Sequence, residues 1–191
     1  MNQQQLVATV TELADRQAIL DCMHLYCRGV DRLDRELLVS VYHPDAIDDH
    51  GMFVGDREAF ANWAINHHTT YQHSTQHIVT NHTCELDGDT AHTETYWMFA
   101  AMNKHGAPLS LGGGRYIDRL EKRDGQWGIV TRKCLIDWSG APGEVPMPRE
   151  ALDAFLGTGI PRRDKLDPSY ERPLAVDPKR IGLRFPDSID G

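Results

Sequence analysis

Apolar and polar positions along this chain repeat with two different periods, and the change of period divides it. Over residues 9–30, Leu13, Leu20, Met23 and Cys27 recur on one stripe, widened by Ile19, Tyr26 and Val30, while Asp15, Arg16 and Asp21 face away. A repeat near 3.6 predicts an amphipathic helix. Thr9-Val-Thr-Glu12 has the spacing of a capping box at its start, and Gly29 suits the left-handed residue at its end. Asp31 follows at once. Asp34 is placed to cap a second helix running to about Tyr42, with Leu37, Leu38 and Val41 apolar and Pro44 as its stop. Ala46 to Val54 reads as a short strand-like piece, and Gly55-Asp56 opens a third helix over 57–69, with Phe60, Trp63 and Ala64 inward.

From His77 the period is two. Strands are predicted over 77–86, 90–103, 109–122 and 126–139, with turns at Asp87-Gly-Asp89, Lys104–Pro108 and Arg123-Asp-Gly125. The order α-α-β-α-β-β-β-β, with helices first and a meander last, predicts an α+β domain over residues 1–140. A long meander that curls can clasp its helices and leave a pocket between them. Gly112-Gly-Gly114 fits a sharp bend or close backbone approach within that sheet. Beyond Ser139 the character shifts: eight of the ten prolines lie between Pro142 and Pro186, with one short helical stretch at about Pro148–Leu156. Such a segment cannot build its own core. Residues 141–191 are therefore expected to be either disordered or an extension that packs on its own domain or, the favoured reading, across a subunit interface.

Composition narrows the class of function. A formal charge of −8 argues against a nucleic-acid surface, which needs a basic stripe. No apolar run approaches the roughly 18 residues needed to span a bilayer. The start, Met-Asn-Gln-Gln-Gln-Leu-Val, lacks the basic and apolar regions of a secretory signal, so the expected setting is the cytosol. Cys22, Cys27, Cys84 and Cys134 form no C-x-x-C pair and read as small buried thiols.

Several residues could carry chemistry. Asp31, just past a helix C-terminus, sits where the helix dipole is negative, so a carboxylate there needs a reason. It either caps the second helix or turns back to orient a histidine. Tyr26 lies on the same inner stripe. His73 and His77 would share a face only on a helix; the strand pattern at Ile78-Val-Thr and the missing glutamate of H-E-x-x-H argue against a metal pair. His77 is instead placed to face a pocket from the start of a strand. Asp48 and His50 share one face of their short strand and Asp49 takes the other; either face could line the pocket, and a solvated turn is the preferred reading. One of Arg132 and Lys133 must turn inward from an apolar strand, and an inward arginine pairs with an acid or binds an anionic or leaving group. Tyr96-Trp-Met-Phe99 supplies an aromatic lining. Gly112-Gly-Gly-Arg-Tyr, inside a strand with no helix after it, is not a phosphate loop.

The run from Gln17 through Tyr26 to Asp31, then His43-Pro-Asp-Ala46, His77-x-x-x-Asn81, Gly88-Asp-x-Ala91 and Arg119 through Trp127 to Arg132, resembles the SnoaL-like branch of the nuclear transport factor 2-like superfamily. Within it, the pattern is similar to the hexachlorocyclohexane dehydrochlorinase, scytalone dehydratase and bile-acid 7α-dehydratase types. The resemblance implies a cone-shaped α+β barrel, a curved sheet wrapped round helices with an apolar pocket. It implies a dyad of Asp31 and His77 with Arg132 on the last strand, and Tyr26 beside it. The expected activity is a cofactor-independent lyase, a dehydratase or dehydrohalogenase acting on a cyclic, mostly apolar small molecule. An isomerase or a non-catalytic ligand-binding or dimerisation module uses the same pocket in the superfamily, and a homodimer or homotrimer is implied.

Overall fold

The computed structural model describes residues 1–142, 162–176 and 178–181. The chain divides into two compact units, Met1–Glu144 and Val145–Gly191. The first holds three helices, α1 (Gln3–Asp31), α2 (Arg35–Ser40) and α3 (Arg57–Tyr71). Its strands are β1 (Tyr42–Asp49), β2 (Val54–Asp56), β3 (Gln72–Asp87), β4 (Thr90–Asn103), β5 (Leu109–Arg123) and β6 (Gln126–Gly140). They form one open sheet in the order β2-β1-β6-β5-β4-β3, antiparallel throughout except that β1 runs parallel to β6. This is the expected α+β architecture.

The differences from the expected boundaries have physical causes. Helix α1 starts earlier because Asn2 and Gln5 make the reciprocal capping box, which leaves Thr9 and Glu12 inside the helix. Leu13, expected on the inner stripe, is exposed, since burial begins at Ile19, where the helix meets the sheet. The second helix stops at Ser40, and Tyr42–Asp49 becomes a strand that carries Pro44. The piece expected over Ala46–Val54 is the end of β1, a turn at Gly51 (φ 71°) and the start of β2. Strand β3 follows α3 without a loop, so it begins at Gln72 instead of His77. A register shift between Val79 and His82 then turns His82, Cys84 and Leu86 inward and leaves Asn81 exposed.

The core lies between the concave face of the sheet and the inner faces of α1 and α3. Ile19, Met23, Tyr26, Phe60, Tyr116 and Ile129 are among its fully or almost fully buried members. The glycine run makes the close approach its spacing predicts: a Cβ on Gly113 would meet the Trp138 ring at 2.5 Å, and one on Gly114 would meet the Leu135 carbonyl oxygen at 1.9 Å. The register of β5 on β6 shifts between these two glycines.

In the second unit the described residues form two 3-10 turns, Pro168–Tyr170 and Pro178–Arg180. The Asp167 carboxylate accepts hydrogen bonds from the backbone N–H groups of Arg162 and Ser169. The helix expected at about Pro148–Leu156 lies outside the described residues. No helix among the described residues is long and apolar enough to cross a membrane.

Two stability measurements follow from these contacts. Gly114→Ala is expected to cost about 1–3 kcal/mol, the usual range for overpacking, read as a lower urea midpoint. Burial lowers the proton affinity of His82, whose Nδ1 lies 2.8 Å from Thr95 Oγ1. As pH falls through the unfolded value of 6.5, the unfolded chain takes this proton and the folded chain resists it. Stability is then full above that pH and falls below it, so thermal melts should drop on acidification and the slope should be shallower in His82→Gln.

Candidate active site

A cavity of about 440 Å³ opens between the concave sheet and α3. That volume suits a small molecule of one or a few rings. Its wall is mostly aromatic and aliphatic, and Tyr26, Trp63, Trp97, Phe99 and Tyr116 contribute to it together with His50, His67, His68 and His77. No lysine, arginine, aspartate or glutamate is among the described residues lining it.

Asp31 ends α1 and turns back toward β3. Its carboxylate accepts three hydrogen bonds: from Thr75 Oγ1 at 2.9 Å, from the His77 backbone N–H at 2.9 Å and from His77 Nδ1 at 2.7 Å. An ionised carboxylate can only accept, so Nδ1 carries a proton, and in the neutral ring this leaves the lone pair on Nε2. Nε2 makes no hydrogen bond to the described residues. The His77 ring packs against Phe99 and His68, with centroids 4.9 and 5.5 Å away, and this packing restricts its orientation. The structure thus brings Asp31, His77 and a cavity wall together. His73 is exposed beside a register shift near the start of β3 and is absent from the cavity wall.

Arg132 is placed differently. It turns inward while Lys133 is exposed, as an apolar strand with one charged residue in requires. It is fully buried and its Nε and Nη2 each donate to Asp118 at 2.7 Å, with Nη2 also 3.0 Å from Met23 Sδ. Its guanidinium carbon lies 4.2 Å from the ring centroids of both Tyr26 and Tyr116. Burial is the largest single influence and works against this charge, but the Asp118 carboxylate together with Tyr42 and Tyr26 outweighs it and raises the proton affinity of the guanidinium. Arg132 therefore stands behind the tyrosines and does not line the cavity. Tyr26 does line it, and burial keeps its phenol protonated far above the usual tyrosine range.

The pattern at Asp48-Asp-His50 is corrected by the structure. Asp48 is fully buried and not part of a solvated turn. Its carboxylate accepts from Tyr42 Oη at 2.6 Å and pairs with His50 Nδ1 at 2.5 Å, while His50 Nε2 lies 3.3 Å from Tyr26 Oη. His50 lines the cavity. Alternation along β1 put Asp48 and His50 on one face, but only the parallel pairing of β1 with β6 decides that this face is the inner one. Cys134 also reaches the wall, and burial pushes its thiol up to about 12, which leaves little thiolate for nucleophilic work.

The profile of the SnoaL-like domain family matches residues 11–133, more than half of the chain. The chain belongs to the SnoaL-like family. Several solved structures share its fold. A type 2 hexachlorocyclohexane dehydrochlorinase superposes with a TM-score of 0.68 at 22% identity, covering 73% of this chain and 97% of that one. A scytalone dehydratase-like protein from Novosphingobium aromaticivorans gives 0.64 at 19% identity, covering 74% and 99%. A Mycobacterium tuberculosis protein of unknown function gives 0.60 at 25% identity, covering 68% and 75%. No curated protein matches the sequence.

The buried ion pair of this SnoaL-like chain makes a checkable demand. Removing one partner leaves a desolvated charge uncompensated, so Asp118→Leu is expected to cost about 3–5 kcal/mol in urea unfolding. A double change of Asp118 and Arg132 to apolar residues of similar volume should recover much of that loss.

Proposed function

We propose that this SnoaL-like protein is a lyase that eliminates a leaving group from a cyclic, mostly apolar small molecule without a cofactor. The observation that carries the reading is the His77–Asp31 pair: a histidine with Nδ1 bound to a carboxylate and Nε2 unengaged on the wall of an apolar cavity. Nε2 removes a proton from carbon as the bond to the leaving group on the neighbouring carbon breaks, and the double bond forms between the two carbons. Asp31 holds the ring in the useful tautomer and offsets the imidazolium charge as it develops. The aromatic wall excludes water, which strengthens that interaction.

Tyr26 supplies a phenol that keeps its proton and can donate to oxygen on the substrate. Arg132 acts through Tyr26 and Tyr116, as a positioning residue whose charge lies against both rings. Two of the three neighbours support the reading by analogy of fold, one a dehydrochlorinase and the other scytalone dehydratase-like, since dehydrochlorinases and dehydratases are both lyases.

General-base help contributes roughly 10²–10⁴ in rate. His77→Ala and Asp31→Asn are therefore each expected to lower kcat/KM at least about a hundredfold, with product formation followed by mass spectrometry. A product lighter by water or hydrogen halide is the expected result. Near-normal turnover in either variant, or a product of unchanged mass, would sink the assignment.

A further inference from the structure

The mechanism above uses one of two carboxylate-bound histidines on the wall of the same cavity. Asp48 on β1 and His50, two residues on and just past the strand's end, form the second pair, and α3 residues lie between the two along the wall. Ring contacts run from His50 to Trp63, His67, His68 and His77, with successive centroids 6.1, 5.5, 5.4 and 5.5 Å apart. The pairs are not equivalent. Asp31 holds His77 from the end of α1 among backbone and hydroxyl donors. Asp48 lies in a buried charged row that crosses three strands: Asp48 on β1 is the Cα partner of Arg132 on β6, which is the partner of Asp118 on β5. The Asp48 carboxylate is held by Tyr42 Oη on one side and by His50 Nδ1 on the other. In its protonated form His50 presents an Nε2–H toward Tyr26 Oη across 3.3 Å, longer than a well-formed hydrogen bond and so readily exchanged for a ligand oxygen.

Resting on the lyase reading, we propose that His50 is the general acid of this site and that its natural substrate is a cyclic alcohol, which loses water. Hydroxide leaves carbon poorly unless it takes up a proton as the bond breaks, whereas halide needs none. The step balances. His77 Nε2 takes the proton from carbon, and the C–H electron pair becomes the double bond. The C–O electron pair goes to oxygen, which takes the Nε2 proton of His50 and leaves as water. His77 ends protonated and His50 neutral, and transfer of one proton from the first to the second, through the released water, restores both. Asp48 is a positioning residue that fixes the ring through Nδ1.

The test compares leaving groups. A series of cyclic β-hydroxy ketones of one to three rings is assayed beside the matching β-acetoxy ketones, whose acetate departs without a proton. Formation of the conjugated enone is followed by its ultraviolet absorbance. Wild type is expected to eliminate water from members of the hydroxy series. His50→Gln is expected to lose about 10²–10³-fold on these alcohols and less than about tenfold on the acetates. Asp48→Asn is expected to shift the same ratio in the same direction. His77→Gln is expected to lose both activities alike. The ratio of the two rates in one preparation does not depend on the fraction folded, so partial misfolding of a variant cannot imitate the result. Equal losses on both series in His50→Gln, no loss on either, or wild-type turnover of acetates alone would overturn the acid role and leave the lyase intact. Absence of elimination from every member of both series by wild type would remove the lyase reading, and this proposal with it.

Discussion

The Asp31 carboxylate is the constraint on which the site depends. It stands at the C-terminal end of a long helix, where the peptide dipoles repel negative charge. Stability therefore requires donors from elsewhere, and all three come from the first residues of one strand, at Thr75 and His77. That requirement fixes the end of α1 against the start of β3. Because β3 continues α3 without a loop, the same contact sets α3 alongside the sheet with Trp63, His67 and His68 facing inward. The cavity is the space left when these three elements are fixed together.

A second constraint works from the opposite side of the sheet's inner face. Arg132 and Asp118 are directly paired across β5 and β6, both fully buried and joined by two short hydrogen bonds. Such a pair contributes little net stability, since desolvation offsets most of the attraction. What it does contribute is register: sliding β6 by one residue would send Arg132 outward and bring Lys133 in without a partner. The faces of Tyr26 and Tyr116 take up part of the remaining charge, which also holds both rings in place along the cavity.

Much of this was legible in the sequence, and the exceptions share a cause. The 3.6-residue stripe from Ile19 to Val30 and the alternation from His77 onward gave the helices and the meander, because each is a local pattern. The proximity of Asp31 and His77, 46 residues apart, rested on the resemblance to a family; nothing local could have supplied it. Arg132 was recognisable as inward or outward, but not as enclosed, since its partner Asp118 lies on another strand. His50 was misread for the same reason. Period two says which residues share a face, and only the pairing of β1 with β6 says which face is buried. The start of α1 was lost to competition between two local signals, with the earlier box at Asn2 and Gln5 prevailing over Thr9 and Glu12.

In both histidine pairs the imidazole meets the cavity while the carboxylate stands behind it, and Arg132 likewise stands behind two tyrosines. The ionic groups therefore occupy one layer and the surfaces a ligand touches occupy another. A ligand sees ring edges and faces, with a shape set by α3 and the middle strands. The charged groups lie a layer deeper, on Asp31, Asp48, Asp118 and Arg132. Substitutions of wall residues other than the histidines can then reshape what is admitted while the carboxylates behind His50 and His77 stay in place. A fold built this way can change what it admits without moving its charges.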